Sequence, residues 1–420
     1  MSQTAQPKTK DEFIKQYEEL KTAFQTMKPE VEITVRDPDM DVEGFIVVWN
    51  TKISLGGPLD GCGKGGTRIK DGLTIEEIKR LARSMSEKNA AAGLPLGGAK
   101  SGLNADPKSA DYEKKFRRFV KLCEPYLREN GGVFGGFGYD IGGIPPYNAI
   151  WACDELGTLG SFTGKPVDMG GTDYDKEGIA GLGVAVAGKV LLDIHGKSAK
   201  GASFAVQGLG AMGAAVVRYF SEYGGQLKAL ADPKYGGSWL FKTHAPEDLV
   251  ASIIAQDLDA VKQGLKSHAA LISPSPQDVL YQDVDLLFPC AIEDVLTKEN
   301  AEKVIAPFIS EGANNPTTDE AHQILFDNGK KLVPDIIANP GGIIAAYVEL
   351  SSSVSVEENT KSRAKVTEAK DMTCTKVEQN VHALYDLVNA LSVRPDLAAD
   401  YMAWRNIIHG LPAEQTMCAA

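Results

Sequence analysis

The sequence predicts an α/β protein built as two domains, and three observations carry that prediction. At 420 residues the chain exceeds what a single hydrophobic core ordinarily serves. From about Gly178 onward, short apolar runs alternate with helix-forming stretches, the rhythm of a parallel sheet crossed by helices. Within that rhythm a glycine-rich loop follows a strand and opens a helix. Residues 1–177 therefore read as an N-terminal α/β domain, 178–350 as a second domain and 351–420 as C-terminal helices.

Taken in order, residues 10–28 place Phe13, Tyr17, Leu20 and Phe24 three to four apart, the spacing of an amphipathic helix. Residues 31–36 and 44–53 carry β-branched alternations and read as strands. A helix runs from Thr74 to Ala92 and is stopped by Gly93 and Pro95. LPLGGAKSG (94–102) and GGFGYDIGG (135–143) read as glycine-rich breaks. Gly178–Leu192 is apolar but too short and glycine-rich to span a bilayer, so it reads as a buried helix. Ala202–Gln207 is a strand, GLGAMG follows it, and a helix runs to about Tyr223. Leu227–Ala231 is the next strand and ends at Asp232. Further strands are expected at 269–272, 284–289, 307–310 and 331–335. Beyond Gly341-Gly342 the chain is helical, with a polar stretch at 351–363.

The net charge of -12 and the lack of a basic run argue against nucleic acid, whose phosphates are met by Lys and Arg patches. No apolar stretch approaches the roughly 20 residues of a membrane span. Met1-Ser2-Gln3-Thr4 is polar and carries no signal-peptide core. The six cysteines, Cys62, Cys123, Cys153, Cys290, Cys374 and Cys418, show no metal-binding spacing, so no metal site is expected. Reduced thiols in a cytoplasmic protein are the expectation.

Gly208-Leu209-Gly210-Ala211-Met212-Gly213 is a G-x-G-x-x-G, weak alone and much stronger between a strand and a helix. Gly208 permits the turn, Gly210 lets backbone approach a pyrophosphate, and Gly213 lets helix and strand pack closely. The helix N-terminus offers its free amides to the phosphates. Asp232, 19 residues after the last glycine, can accept from both ribose hydroxyls and would repel a 2′-phosphate. This predicts a Rossmann-type domain that binds NAD. Lys234, two residues on, could serve a 2′-phosphate and leaves NADP open.

Three lysines punctuate the first domain: Lys64 in CGKGGTR, Lys88 in SEKNAAAG and Lys100 in GGAKSG. Each alone would be an ordinary solvated lysine. Two of them stand among glycines, where backbone approaches a ligand closely. Clustered in a cleft they would depress one another's pKa values and suit proton transfer near neutrality. Asp140 by itself would be a turn aspartate between glycines.

KNAAAGLPLGGAKSG resembles the central motif of the glutamate/leucine/phenylalanine/valine dehydrogenase superfamily. The spacings of 24 residues from Lys64 to Lys88 and 12 from Lys88 to Lys100 resemble those of its glutamate enzymes. PCAIEDVLTKENA, EGANNPTTDEA and PDIIANPGG resemble its dinucleotide domain in order and chemistry. The resemblance implies that Lys100 activates the water attacking an iminium carbon and that Asp140 shuttles a proton to and from the amino group. It implies that Lys88 pairs with the substrate α-carboxylate and Lys64 with a side-chain carboxylate. Pro233, Ala291, Asn314 and Asn339 join the glycine loop and Asp232 as cofactor-binding residues. It further implies that the helices of 351–420 return to the first domain, a cleft between domains, an amino acid, its 2-oxo acid and ammonia as ligands, and a homo-oligomer, expected as a hexamer.

The sequence also departs from the glutamate pattern. Met85 replaces a glutamine, Ala346 a serine that would bond the side-chain carboxylate, and Ala180 a threonine beside the nicotinamide. Asp60–Lys64 resembles an insertion relative to leucine-type sequences. Lys64 thus points to an anionic substrate while Met85 and Ala346 point to a less polar one. Glutamate ranks first. Another L-amino acid and a catalytically silent regulatory relative stay open, the last opposed by retention of Lys88, Lys100 and Asp140 together.

Overall fold

The computed structural model describes residues 6–351 and 362–411. The N-terminal Met1–Thr4, most of the polar stretch at 351–363, and Cys418 lie outside the described residues. The chain divides into two compact units. The first holds Met1–Tyr174, Ile343–Ala369 and Asp400–Ala420, and the second holds Asp175–Gly342 and Lys370–Ala399.

The first unit opens with α1 (Lys10–Thr26), whose N-terminus is capped by the Thr9 side chain and which buries Phe13, Tyr17, Leu20 and Phe24. Strands β1 (Val31–Asp37) and β2 (Val42–Val48) form an antiparallel pair. Next come β3 (Gly63–Lys64), β4 (Thr67–Lys70), α2 (Ile75–Ala91) and β5 (Gly97–Asn104). Thr74 caps α2 by accepting from the Glu77 amide. The second predicted strand stops at Val48 rather than 53, because residues from Lys52 turn into a short 3-10 helix. The sheet runs β1-β2-β5-β3, with β4 also paired to β5.

The stretch expected as a break at 94–102 is largely strand β5, next to β2 in this sheet. Its glycines are there for packing. A Cβ on Gly98 would stand 2.3 Å from the Ser86 backbone nitrogen, and one on Gly97 would stand 1.9 Å from the Asn50 carbonyl oxygen. Helix α2 therefore lies directly on the strand backbone. The unit continues through α3 (Tyr112–Cys123), β6 (Phe137–Gly138), α4 (Tyr147–Leu156) and β7 (Phe162–Thr163). Strands β6 and β7 form a separate parallel pair. Phe116, Phe119, Phe134 and Phe137 fill the core between these pieces.

A single turn, α5 (Tyr174–Glu177), precedes α6 (Ile179–Ile194), which is buried along most of its length as its apolar sequence predicts. The second unit then runs β8 (Ser203–Gln207), α7 (Ala211–Glu222), β9 (Gln226–Asp232) and β10 (Gly237–Phe241). It continues with α8 (Glu247–Ile254), α9 (Leu258–His268), β11 (Ala269–Ser273), β12 (Leu286–Pro289) and β13 (Phe308–Ser310). It ends with α10 (Asp319–Asp327), β14 (Lys331–Val333) and α11 (Asp335–Ala338). Seven strands pair in the order β11-β10-β9-β8-β12-β13-β14.

This sheet is mixed, where sequence rhythm alone predicts a parallel one. Strands β9, β8, β12, β13 and β14 are parallel, but β10 is antiparallel to both β9 and β11. Only the short turn Pro233–Gly236 joins β9 to β10, too few residues for a parallel crossover, so the chain doubles back as a hairpin. The order reverses between β8 and β12, the switch point at which open α/β sheets bind ligands beyond their strand ends.

Among the described residues three helices remain: α12 (Gly341–Ser351), α13 (Ser362–Leu391) and α14 (Pro395–His409). Residues 370–399 cluster with the second unit, whereas the sequence assigns all of 351–420 to the first. Val377, Val381 and Tyr385 of α13 are buried, and the Tyr385 hydroxyl donates to the Leu332 carbonyl of β14. Among the described residues no helix is long and apolar enough to cross a membrane.

Candidate functional site

In the first unit the structure brings Lys64, Lys100 and Asp140 together. Lys100 sits on β5 opposite Val47 of β2, and Lys64 pairs with Gly98 on the same strand. Asp140 lies two residues beyond β6. The Lys100 Nζ is 2.5 Å from Asp140 Oδ2. Gly66 makes this approach feasible, since a Cβ there would stand 2.6 Å from the Tyr139 carbonyl and 3.4 Å from the Lys100 Nζ.

Asp140 has a second cation that is not among the residues the sequence points to. Arg68 on β4 donates Nε to Asp140 Oδ2 at 3.0 Å and an Nη to Oδ1 at 3.4 Å. Its other Nη reaches Glu77 Oε1 at 3.3 Å, which fixes the guanidinium. The signal for Arg68 was its place in GGTR, in β-strand alternation just after the glycines. Burial pushes the Asp140 carboxyl up, but the Lys100 charge and the Arg68 hydrogen bonds outweigh it and hold it below the usual range. For Lys100 the balance goes the other way: burial lowers its pKa more than Asp140 raises it. The pair thus joins an ionised carboxylate to a lysine that gives up its proton more readily than usual.

Lys64 is 4% exposed. Burial first, and then the neighbouring Lys100, lower its pKa to about 7. Its Nζ donates to the Gly65 carbonyl oxygen at 2.7 Å, and no carboxylate of the described residues forms an ion pair with it. Met85 and Lys88 lie half-buried on α2. Met85 packs against Gly65, where a Cβ would stand 3.0 Å from its Cγ, and the Lys88 charge is one of those lowering Lys100. Ala346 is buried on α12.

In the second unit the glycine loop has the geometry its sequence predicts. Gly208 has φ +83°, and a Cβ there would stand 2.5 Å from the Ala291 Cα. A Cβ on Gly213 would stand 1.8 Å from the Gly208 carbonyl oxygen, so any larger residue would force helix and strand apart. Gly210 has open space around it and starts α7 with no side chain capping the helix amides. Asp232 Oδ2 accepts from the Leu209 amide at 2.7 Å and Oδ1 from the Lys234 amide at 2.9 Å, across the turn opened by Pro233. The Lys234 Nζ donates back to the Leu209 carbonyl at 2.7 Å.

Asn339 donates to the Gly312 carbonyl at 3.1 Å and to Asn314 Oδ1 at 3.3 Å, and Gly312 lies against Met212 of the loop. Ala211, Met212, Ala291, Asn314 and Asn339 therefore gather around the ends of β8, β12 and β13. Open space at Gly210, uncapped amides and an acid at the end of the next strand together fit a dinucleotide. Ala180 packs on Gly341. Among the described residues no group of three His, Cys, Asp or Glu side chains could hold a metal ion.

Residues 170–407 match the family described as "Glutamate/Leucine/Phenylalanine/Valine dehydrogenase". Residues 27–137 match its dimerisation domain. The chain is 33% identical over 340 residues to glutamate dehydrogenase A2 of Halobacterium salinarum, covering 79% of this chain and 78% of that one. Its fold is similar to the hetero-hexameric glutamate dehydrogenase of Thermus thermophilus solved in a Leu-bound form, with a TM-score of 0.69, 25% identity and 96% of each chain covered. It is also similar in fold to the L-tryptophan dehydrogenase of Nostoc punctiforme, with a TM-score of 0.66, 22% identity, and 92% of this chain and 98% of that one covered.

Proposed function

Because the chain belongs to the glutamate/leucine/phenylalanine/valine dehydrogenase family, whose members are amino-acid dehydrogenases that use a nicotinamide dinucleotide, we propose that it interconverts L-glutamate with 2-oxoglutarate and ammonia, using NAD. The observation that carries the choice of glutamate is Lys64. A buried ammonium whose recorded partner is one backbone carbonyl is costly, and a substrate carboxylate would supply the missing counter-charge.

A bound nicotinamide would supply the hydride acceptor for oxidation of the substrate Cα to an iminium carbon, and the chain's own residues would hold that carbon and manage the protons. Lys88 holds the α-carboxylate and Lys64 the side-chain carboxylate, which fixes the Cα in place. Lys100, its pKa lowered by burial, takes the proton from the water that adds to the iminium carbon. Asp140, kept ionised by Lys100 and Arg68, carries a proton to and from the departing amine. NAD is preferred over NADP because the Asp232 carboxylate faces the loop and Lys234 is already engaged by the Leu209 carbonyl. We place the protein in the cytoplasm as a homo-hexamer, a reading supported by its free described cysteines and its dimerisation domain.

A second reading, a less polar amino acid, is favoured by Met85 against Gly65 and by Ala346, neither of which offers a side-chain hydrogen bond. Growth of NAD(P)H absorbance with each common L-amino acid, run with both cofactors, decides between them. Glutamate with NAD should give the highest kcat/KM; silence with glutamate and turnover with leucine or tryptophan would replace the reading. Asp140→Asn should lower kcat by roughly 100-fold or more while leaving glutamate binding within a few-fold, and unchanged turnover would remove Asp140 from the mechanism.

A further inference from the structure

Near Lys64 lies a buried ion pair that the proposed reaction leaves without a task. Glu349 on α12 is completely buried, and Lys165, two residues past β7, has a side chain only 3% exposed. Both carboxylate oxygens of Glu349 are used. Oε1 accepts from the Thr172 amide at 2.7 Å and the Thr172 hydroxyl at 2.6 Å. Oε2 accepts from the Gly164 amide at 3.1 Å and from the Lys165 Nζ at 3.0 Å. The Lys165 Nζ also donates to the Phe162 carbonyl. One side chain thereby fastens both ends of the segment from 162 to 172.

That segment backs the strand against which Lys64 lies. Its strand β7 pairs with β6, Phe137 with Phe162 and Gly138 with Thr163. A Cβ on Gly138 would stand 2.8 Å from the Thr163 Oγ1 and 3.0 Å from the Lys64 Nζ, so the ammonium rests on that backbone. The same stretch leads, two residues later, to Asp140. Next to Gly164 lies the Tyr139 ring, whose Cδ2 is 3.0 Å from where a Cβ would be. Glu349 is also one helical turn from Ala346, the position where glutamate enzymes carry a serine.

We propose that Glu349 is a specificity-determining positioning residue: pinned by Thr172, Gly164 and Lys165, it holds the β6–β7 wall under the Lys64 ammonium and supplies the negative charge that keeps that ammonium fit to receive a substrate side-chain carboxylate. The inference rests on the glutamate reading above. Burial and the cations Lys100 and Lys165 drive the proton off Lys64, whereas Cys62 and Glu349 hold it on. With Lys64 poised at about 7, burial and Lys100 weigh most against its charge, and Glu349 is one of the two groups that oppose them and help keep the site cationic near neutral pH. The cation Lys365 of α13 faces the same carboxylate and donates to the Gly170 carbonyl at 3.4 Å.

The test is the pH dependence of KM for glutamate and for L-norvaline, a neutral amino acid of the same chain length, between about pH 6 and pH 9, in full-length wild type, Glu349→Gln and Lys165→Met. Glu349→Gln should move the pH at which the glutamate KM climbs downward by about one unit, a roughly tenfold higher KM on the alkaline side. Lys165→Met should move it upward, because Glu349 keeps three other donors and Lys64 loses a repelling neighbour. The norvaline profile should stay put in both. A role confined to packing would shift both variants in one direction and both substrates together, and that result overturns the inference. If Glu349→Gln does not fold, Lys165→Met decides alone: no shift or a downward one overturns it. A wild type that treats glutamate and norvaline alike at every pH would sink the glutamate reading and this inference with it. A wild type that distinguishes them while both variants overlay it sinks the inference alone.

Discussion

A lysine at 4% exposure with a pKa near 7 is an expensive side chain to keep, and the expense is measurable. In the unfolded chain Lys64 would titrate near 10.4, so between about pH 7 and pH 10 the unfolded state binds the extra proton. Stability therefore rises with pH across that window, and the penalty is fully present below about pH 7, on the order of 4 kcal/mol before relaxation. Lys64→Met should raise the Tm of the substrate-free protein at pH 6, and its advantage should shrink toward pH 10. An advantage that grows with pH would show that Lys64 is not held below its usual range. The neighbouring Lys100–Asp140 pair differs because it is matched within the protein, with Arg68 as a third partner. Lys64 has no ion-pair partner among the described residues and feels the Glu349 charge only from a distance, which on the glutamate reading leaves a substrate carboxylate to complete the match.

At the scale of the element, β5 and α2 decide the site. Gly98→Ala would place a methyl group 2.3–2.5 Å from the Ser86 backbone and side chain, and neither backbone can yield easily. It should cost about 1–3 kcal/mol in denaturant titration and lower kcat/KM as well, because Met85 and Lys88 ride on the displaced helix. Intact activity in that variant would mean that α2 need not lie on the strand.

The same pair shows what was legible in the sequence. Helix α2 was readable from its helix-forming composition from Thr74 and its stop at Gly93 and Pro95, and the structure adds the Thr74 cap. Strand β5 was not, because glycines chosen for close packing carry the same local signal as glycines chosen for a turn. The antiparallel return of β10 was hidden similarly, since an apolar run does not record which way its neighbour points. Lys64 and Lys100 drew notice because glycines frame them, whereas Asp140 between its glycines reads as a turn residue and was singled out by the lysines and the family resemblance. Arg68 carries only the weak signal of its place in GGTR, just after the glycines, and Glu349 sits in an ordinary helix pattern from which only the three-dimensional packing singles it out.

For the whole molecule, the family match over residues 27–137 is to a dimerisation domain, and the hexameric reading follows the resemblance. Sedimentation equilibrium should return the mass of six copies of the 45.0 kDa chain, and a stable monomer at micromolar concentration would refute it. The net charge of -12 gives such an assembly a repulsive surface toward nucleic acid, so salt should change its activity little through that route. One feature of the first unit also bears on the history of such enzymes. Gly97 and Gly98 admit nothing larger than hydrogen, which closes that part of the strand to innovation. On the function proposed above, a descendant lineage seeking a new substrate could vary neither them nor Lys100 and Asp140. It would be channelled toward Met85 and Ala346, where a changed side chain alters the lining and spares the chemistry.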